Sequence, residues 1–243
     1  LNVMGRVTND SYDELREERI AIGSVEVPMY YKYTRSYYER NYDLIISANK
    51  NFGTDDKFNI DANLGTNIRR QGSIETEAQT NGGLLVPGVY SLSNAANGVI
   101  APTFLSSTND WKILDRPYER SWNRAVDGYY ARASLGYDRF LYLDLSGRYD
   151  ISSTLPVDNN AFFYPAASMS FIYSELFDAD FMDFGKIRFN VAAVGNDAPV
   201  QSIGIGYNQN GSLLGSALAT ARNTNPNPNL LPEKTQTIEL GLE

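Results

Sequence analysis

Along residues 57–70, KFNIDANLGTNIRR, apolar and polar side chains take turns without a break. Phe58, Ile60, Ala62, Leu64, Thr66 and Ile68 hold one parity, and Asn59, Asp61, Asn63, Gly65, Asn67 and Arg69 hold the other. Successive side chains of a strand point to opposite faces, so this is a strand with one oily face and one polar face. The same period recurs in SYYERNYDLIISANK, where Tyr42, Leu44, Ile46 and Ala48 oppose Asp43, Ser47 and Asn49. In LYLDLSGRYD, Leu141, Leu143, Leu145 and Tyr149 oppose Tyr142, Asp144, Ser146, Arg148 and Asp150. Further strands are predicted in LNVMGRVTND, YYARASLGY, AFFYPAASMSFIY, KIRFNVAAV and EKTQTIELGLE. Pro165, which has no N–H to donate, is expected at a strand end or a distorted register. SYDELREERI and AIGSVEVPMYYKYTR break the period with charges and are predicted as a loop with a short helical turn. Gln71 to Asn123 and Gly195 to Pro232 are predicted as long loops, and SELFDADFMDFG as a short connector with one helical turn.

About eight strands result, joined by connections that alternate between long and short. The run from Phe58 exceeds the ~5–6 residues usual in globular strands and matches the ~9–11 that cross a bilayer obliquely. Short turns on one side and long loops on the other mark antiparallel barrels of the outer membrane. The expected fold is therefore all-β, an antiparallel transmembrane β-barrel segment with long extracellular loops and short periplasmic turns. The alternative from another class is a soluble β-sandwich acting as a carbohydrate-binding or adhesion module, its oily face turned onto a core.

Composition narrows the chemistry more than the fold. The 243 residues are 42% hydrophobic and include 17 Tyr, a residue suited to positions with one apolar side and one wet tip. Net charge is −8 with Lys and Arg scattered, which leaves no footprint for nucleic acid. Neither Cys nor His occurs, so disulfides, thiol catalysis and imidazole chemistry are excluded. The acid pairs Glu17–Glu18, Asp55–Asp56 and Asp178–Asp180 read as solvated surface, and DADFMD lacks the glycine and spaced glutamate of a calcium loop. No G-x-G-x-x-G opens a helix after a strand. No enzyme activity, metal or cofactor is expected. No run of 18 apolar residues exists, which excludes a transmembrane helix but not a barrel. One cluster invites a ligand: WKILDRPYERSW, with Trp111, Asp115, Arg116, Tyr118 and Trp122 as candidate binding residues. Aromatic rings beside carboxylate and guanidinium groups suit sugar rings or peptide backbones, through stacking and directional hydrogen bonds.

Segments in order along the chain carry a family resemblance. YYARASLGYDRFLYLDLSGRYDISSTLP, FFYPAASMSFIYSELF, FGKIRFNVAAVGNDAP and NPNPNLLPEKTQTIELGLE, preceded by NLGTNIRR and TNGGLLVPGVYSLSNA, resemble the C-terminal barrel region of SusC/RagA-type TonB-dependent outer-membrane transporters of the Bacteroidetes. The resemblance implies a barrel of roughly 22 strands with a plugged lumen, of which residues 1–243 form a part, the plug domain and remaining strands lying elsewhere. It also implies location in the outer membrane, active import of oligosaccharides or peptides energised through a TonB complex, and a SusD-like surface lipoprotein partner. On that reading Leu141, Leu143 and Leu145 meet lipid, while Asp144, Ser146, Arg148 and Asp150 face the lumen. Tyr137-Asp138-Arg139 becomes a periplasmic turn. Tyr129, Tyr130, Tyr137, Tyr142, Phe162, Phe163 and Tyr164 are expected near strand ends as aromatic girdles.

Overall fold

The computed structural model describes residues 1–20, 28–105, 110–114, 117–176, 184–204, 206–213, 216–221 and 225–243. Twelve strands are found among them: β1 (Asn2–Ile20), β2 (Met29–Phe52), β3 (Phe58–Thr80), β4 (Val99–Leu105), β5 (Asp110–Leu114) and β6 (Tyr118–Tyr137), then β7 (Leu141–Ser152), β8 (Ala161–Ile172), β9 (Lys186–Asn196), β10 (Tyr207–Leu213), β11 (Ser216–Ala221) and β12 (Glu233–Leu242). Eight of them are hydrogen-bonded in the order β1-β2-β3-β6-β7-β8-β9-β12, with β4 attached to β3 and β5 to β4, while β10 and β11 form a separate hairpin. The eight-strand path agrees with the sequence expectation. The chain divides into two compact units: residues 1–8, 41–69 and 124–243 form the first, residues 9–40 and 70–123 the second.

In the first unit the registers line residues up in rows that cross five strands. Leu135, Leu143, Met169, Phe189 and Leu240 make one row, and Ala133, Leu145, Ala167, Val191 and Ile238 make another. Between them runs Ser134, Asp144, Ser168, Asn190 and Glu239. Apolar rows thus alternate with polar rows, as strand pleating requires. Burial is inverted, however. Along β2, Tyr42, Leu44 and Ile46 are exposed while Asp43, Ile45 and Ser47 are half-buried. Fully buried apolar residues among those described are few: Tyr30, Ala78, Ile100, Val126, Leu155 and Ala193. A sandwich needs a second sheet over its oily face, and the only other sheet among the described residues is the β10–β11 hairpin. The sandwich alternative is therefore not the fold.

Aromatic rows bound the oily face. Tyr129, Tyr149 and Phe163 align at one end. At the other, Phe52 stacks on Phe58 at 5.2 Å, Phe58 meets Tyr137 at 4.6 Å, and Phe140 joins Tyr137 to Phe171. Tyr129 and Tyr137 lie eight positions apart on β6, which is about 26 Å along a strand at ~3.3 Å per residue. Of the predicted girdle residues, Tyr129, Tyr137 and Phe163 belong to these rows. Tyr130, Tyr142, Phe162 and Tyr164 occupy the polar parity.

The turns explain several register choices. Asp138 and Arg139 have φ of 44° and 62°, and the Phe140 N–H donates to Tyr137 O at 3.2 Å. This is a type I′ turn, whose twist matches the flanking strands. The Asp138 N–H donates to Lys57 O at 2.8 Å, and Lys57 Nζ lies 3.3 Å from the Asp138 carboxylate, so two short turns are tied together. Pro165 sits inside a regular β8, contrary to expectation. The β8–β9 ladder runs from Ile172–Lys186 to Ala166–Ala192 and stops just short of Pro165, so the missing N–H falls where the ladder has ended.

Three predicted loops are partly strand. β1 runs on through SYDELREERI to Ile20, and β2 begins at Met29 within the second charged segment. β3 extends to Thr80 and β6 starts at Tyr118, so the long loop predicted from Gln71 to Asn123 is shortened at both ends and carries the β4–β5 hairpin. Gly195 and Asn196 belong to β9, and β10–β11 occupies the middle of the loop predicted from Gly195 to Pro232. The connector after β8 opens with a single 3-10 turn at Tyr173–Glu175, and DADFMD lies outside the described residues.

Candidate functional site

On the polar face of the first unit, short side chains and charges pair with one another. Arg148 Nε donates to both Asp150 oxygens at 2.8 and 3.1 Å and to Tyr164 Oη at 3.0 Å, and Tyr164 Oη donates in turn to Asp150. Arg132 reaches Asp144 at 3.1 Å, Asp144 also accepts from Ser134, and Asn67 donates to Asp43 at 2.6 Å. A cavity of about 740 Å³ runs along this face, lined by Asp43, Asn67, Tyr130, Arg132, Arg148 and Tyr164. Gly65 has no side chain because the Tyr130 ring crosses it, 2.3 Å from where a Cβ would stand. Charges paired this closely are costly to bury dry and well suited to a hydrated wall. No cluster of acids able to hold a metal is found among the described residues.

Where β9 ends, three side chains converge on one carboxylate. Asp197 accepts from Arg124 Nε at 3.1 Å and from Arg124 Nη2, from Ser152 Oγ, and from Thr154 Oγ1 at 3.0 Å. The Ser153 hydroxyl accepts from the Ala125 N–H at 2.9 Å, and the Ser153 N–H donates to Ala125 O at 2.9 Å. Burial raises the carboxyl's pKa, but the Ser152 hydroxyl, the Arg124 guanidinium and the Thr154 hydroxyl together outweigh it and hold Asp197 below the ordinary carboxylate range. A cavity of about 590 Å³ opens beside this clasp, bordered by Asn196, Pro199, Asn227, Leu231 and Glu233.

The second unit carries the aromatic chemistry. Alternation along β2 places Tyr31, Tyr33, Arg35, Tyr37 and Glu39 at one parity. Tyr12 stacks on Tyr37 with ring centroids 5.1 Å apart, Trp122 approaches Tyr37 at 6.2 Å, and the Arg35 guanidinium lies 5.6 Å over Tyr12 and 5.9 Å over Tyr37. Carboxylates edge the group: Tyr37 Oη donates to Glu39 at 3.0 Å, Arg35 sits 3.5 Å from Glu75, and Tyr31 Oη donates to Glu77 at 3.1 Å. Flat rings with a guanidinium and acceptors alongside can stack on a sugar ring or peptide bond and hydrogen-bond its edges.

Of the five residues singled out from sequence, Tyr118 and Trp122 share one parity of β6 and are half-buried. Trp111 lies in β5, opposite Phe104 in the backbone register. Asp115 and Arg116 lie outside the described residues. Tyr37, which Trp122 approaches, and Tyr37's own neighbours Tyr12 and Arg35 are missed by sequence reasoning. YYKYTRSYYER carries rings and charges at both parities, so a hydrophobicity pattern does not separate its two faces.

Solved structures with the same architecture are barrels of an importer. A chain of the RagAB peptide importer in the "closed-closed" state superposes with a TM-score of 0.70 at 18% identity over 99% of this chain and 25% of that chain. The RagAB peptide transporter gives 0.71 at 18%, and the "open-open" state 0.67 at 19%, with the same coverage. This chain therefore spans a quarter of the length of the chains it matches. No curated protein matches it in sequence. The model of the family described as TonB dependent receptor-like, beta-barrel matches residues 8–243, and this chain belongs to that family.

Proposed function

We propose that this chain forms part of the wall of an outer-membrane transporter that imports oligosaccharides or peptides, powered through a TonB complex and served by a SusD-like surface lipoprotein. One observation carries the reading: the apolar rows leave Leu145, Met169, Phe189, Val191, Ile238 and Leu240 exposed, and aromatic rows about 26 Å apart along the strands bound them, close to the ~25 Å apolar band of such barrels. A bilayer is the solvent that such a face requires. Residues 1–243 belong to one barrel domain, and β1 and β12, which end the sheet order, pair with further strands, since an open edge is not tolerated in lipid. The wall performs no covalent chemistry. Its polar face lines the passage, and Tyr12, Arg35, Tyr37, Tyr118 and Trp122 supply the surface on which substrate first stacks. Trp111, Asp115 and Arg116 join this surface on sequence grounds.

The test is spin labelling of single cysteines in the full-length protein reconstituted in lipid, for which this stretch, lacking native cysteine, is well suited. A label at Leu145 should be relaxed by oxygen and shielded from a polar nickel chelate, with the opposite result at Ser146. Equal access of the chelate at both positions would overturn the membrane reading. Uptake of labelled oligosaccharide and peptide mixtures by cells with and without a working TonB complex then separates the two substrate classes.

A further inference from the structure

A groove of about 770 Å³ runs across the oily face of the first unit, walled by Leu64, Leu145, Phe163, Val191 and Ile238. Its floor is the row Ala131, Gly147 and Pro165, with Ala193 and Gln236 paired beyond it. The Phe163 ring lies over Gly147, 2.9 Å from where a Cβ would stand, and closes one end. From the aromatic row at Tyr129 to Ala133 is four positions, about 13 Å at ~3.3 Å per residue. That is close to one leaflet of a ~30 Å hydrocarbon core. Beyond the aromatic row, away from the Tyr137 turn, a second cavity of about 370 Å³ is edged by Leu231 and Pro232 and by the polar side chains of Asp158, Asn159 and Glu233. Phe163 and Lys234 line both cavities, so groove and outer cavity meet at a lysine. Among the described residues, Lys234, Asp158 and Glu233 form no ion pair, and no acid lines the groove.

We infer that the joined cavities hold a phosphorylated glycolipid of the membrane, with an acyl chain in the groove, the phosphate at Lys234 and the sugar in the outer cavity. The inference rests on the bilayer reading of the oily face proposed above. Oil, cation and hydrogen-bonding rim follow one another along the strands in the order of the three parts of such a lipid. A lysine at the level of the headgroups attracts anionic lipid. A preformed groove lowers the ordering cost of the chain it receives. Asp158 and Glu233 beside the cation disfavour a headgroup that is phosphate alone and suit one rich in hydroxyl donors. A second copy related by a two-fold axis through the groove sets groove against groove and leaves a void, because such a contact pairs a surface with itself.

The test uses the full-length protein, extracted from its own membrane in mild detergent and weighed intact by native mass spectrometry. Three lipids are offered: a phosphorylated, acylated glucosamine disaccharide, the same lipid without phosphate, and phosphatidylglycerol. The phosphorylated glycolipid should be retained most strongly. Lys234→Gln should lower its retention about fivefold and leave the unphosphorylated lipid unaffected. Lys50→Gln, at an exposed lysine of the same parity as Leu44 and Ile46 on β2, should change nothing. Ala131→Leu fills the groove and should lower retention of all three about tenfold, with heat-modifiable mobility showing that the barrel is folded. Retention that ignores both Lys234→Gln and Ala131→Leu overturns the site and leaves the transporter reading intact. Phosphatidylglycerol held as tightly as the phosphorylated glycolipid overturns the sugar's part in it. A mass of two chains in place of chain plus lipid, lost with Ala131→Leu, gives the groove to a second copy and overturns the proposal equally. If the full-length protein is not recovered from the membrane fraction, the transporter reading fails first.

Discussion

The two units use strand alternation in opposite ways. In the first, Leu44 and Ile46 are exposed at every second position of β2, and the parity of Asp43, Ile45 and Ser47 between them is the sheltered one. In the second, β1 and β2 carry charges and rings at both parities. Cross-strand contacts hold them together, such as Ser36 Oγ donating to Asp13 at 2.6 Å, Arg16 lying 5.8 Å over Tyr33, and Arg35 lying 5.6 Å over Tyr12. The difference teaches that alternation reports two faces and not which solvent each one meets. Only the identity of the exposed residues tells the solvent: leucine and isoleucine in the first unit, tyrosine, arginine and glutamate in the second.

The sharpest way to break the comparison is the same substitution in both units. Leu145→Arg, in the row midway between the aromatic boundaries, should cost about 2–4 kcal/mol, measured by urea unfolding of the full barrel in vesicles. Leu15→Arg, at a residue 61% exposed in the second unit, should change stability by less than about 0.5 kcal/mol. Equal costs at both sites would erase the distinction.

A smaller effect is expected at the clasp. Asp197→Ala strands the Arg124 guanidinium, whose side chain is 24% exposed against 6% for Asp197. The loss should be about 2 kcal/mol, below the ~3–5 of a fully buried pair, and read in the same unfolding assay. The carboxyl's pKa is depressed in the folded state, so the stability it adds is present above the unfolded carboxylate value of about 3.9 and is lost as pH falls through the folded value. Asp197→Asn should flatten that acid limb, and an unchanged limb would show that other carboxylates dominate it.

Weaker again, Trp122→Ala should reduce affinity for the imported substrate about tenfold, equivalent to ~1.4 kcal/mol, measured by calorimetry on the purified transporter. No change would remove Trp122 from the contact surface. The smallest expected effect is at Arg16–Glu14, an exposed pair at 3.2 Å, where Glu14→Gln should shift stability by under about 0.5 kcal/mol.

The first unit was legible because its apolar parity is made of Leu, Ile, Val, Phe and Met, which pattern reading detects. The Tyr137 turn and the Leu145 face followed directly, whereas the order of long and short connections did not, because β1 runs on to Ile20 and the connection from β8 to β9 is longer than that from β7 to β8. In the second unit the stabilising contacts are Tyr on Tyr and Arg on Tyr across strands, set by β1 and β2 registers that no local pattern contains. SYDELREERI therefore looked like loop. The candidate site was half legible for the same reason: Trp122 stood out by rarity, whereas Tyr12 and Tyr37 acquire meaning only when β1, β2 and β6 bring them together.

The type I′ turn at Asp138-Arg139 bears on the order in which this sheet is assembled. Closing β6 on β7 confines three residues, whereas closing β9 on β12 must bring together the ends of residues 197–232, and the entropy of closure grows with the logarithm of loop length. The β6–β7 hairpin is thus the natural nucleus and β12 the latecomer. By binding Asp197 at the root of that long excursion to Arg124, Ser152 and Thr154, the clasp anchors the outgoing chain before its return strand has paired, so losing it should slow the last step of assembly more than the first.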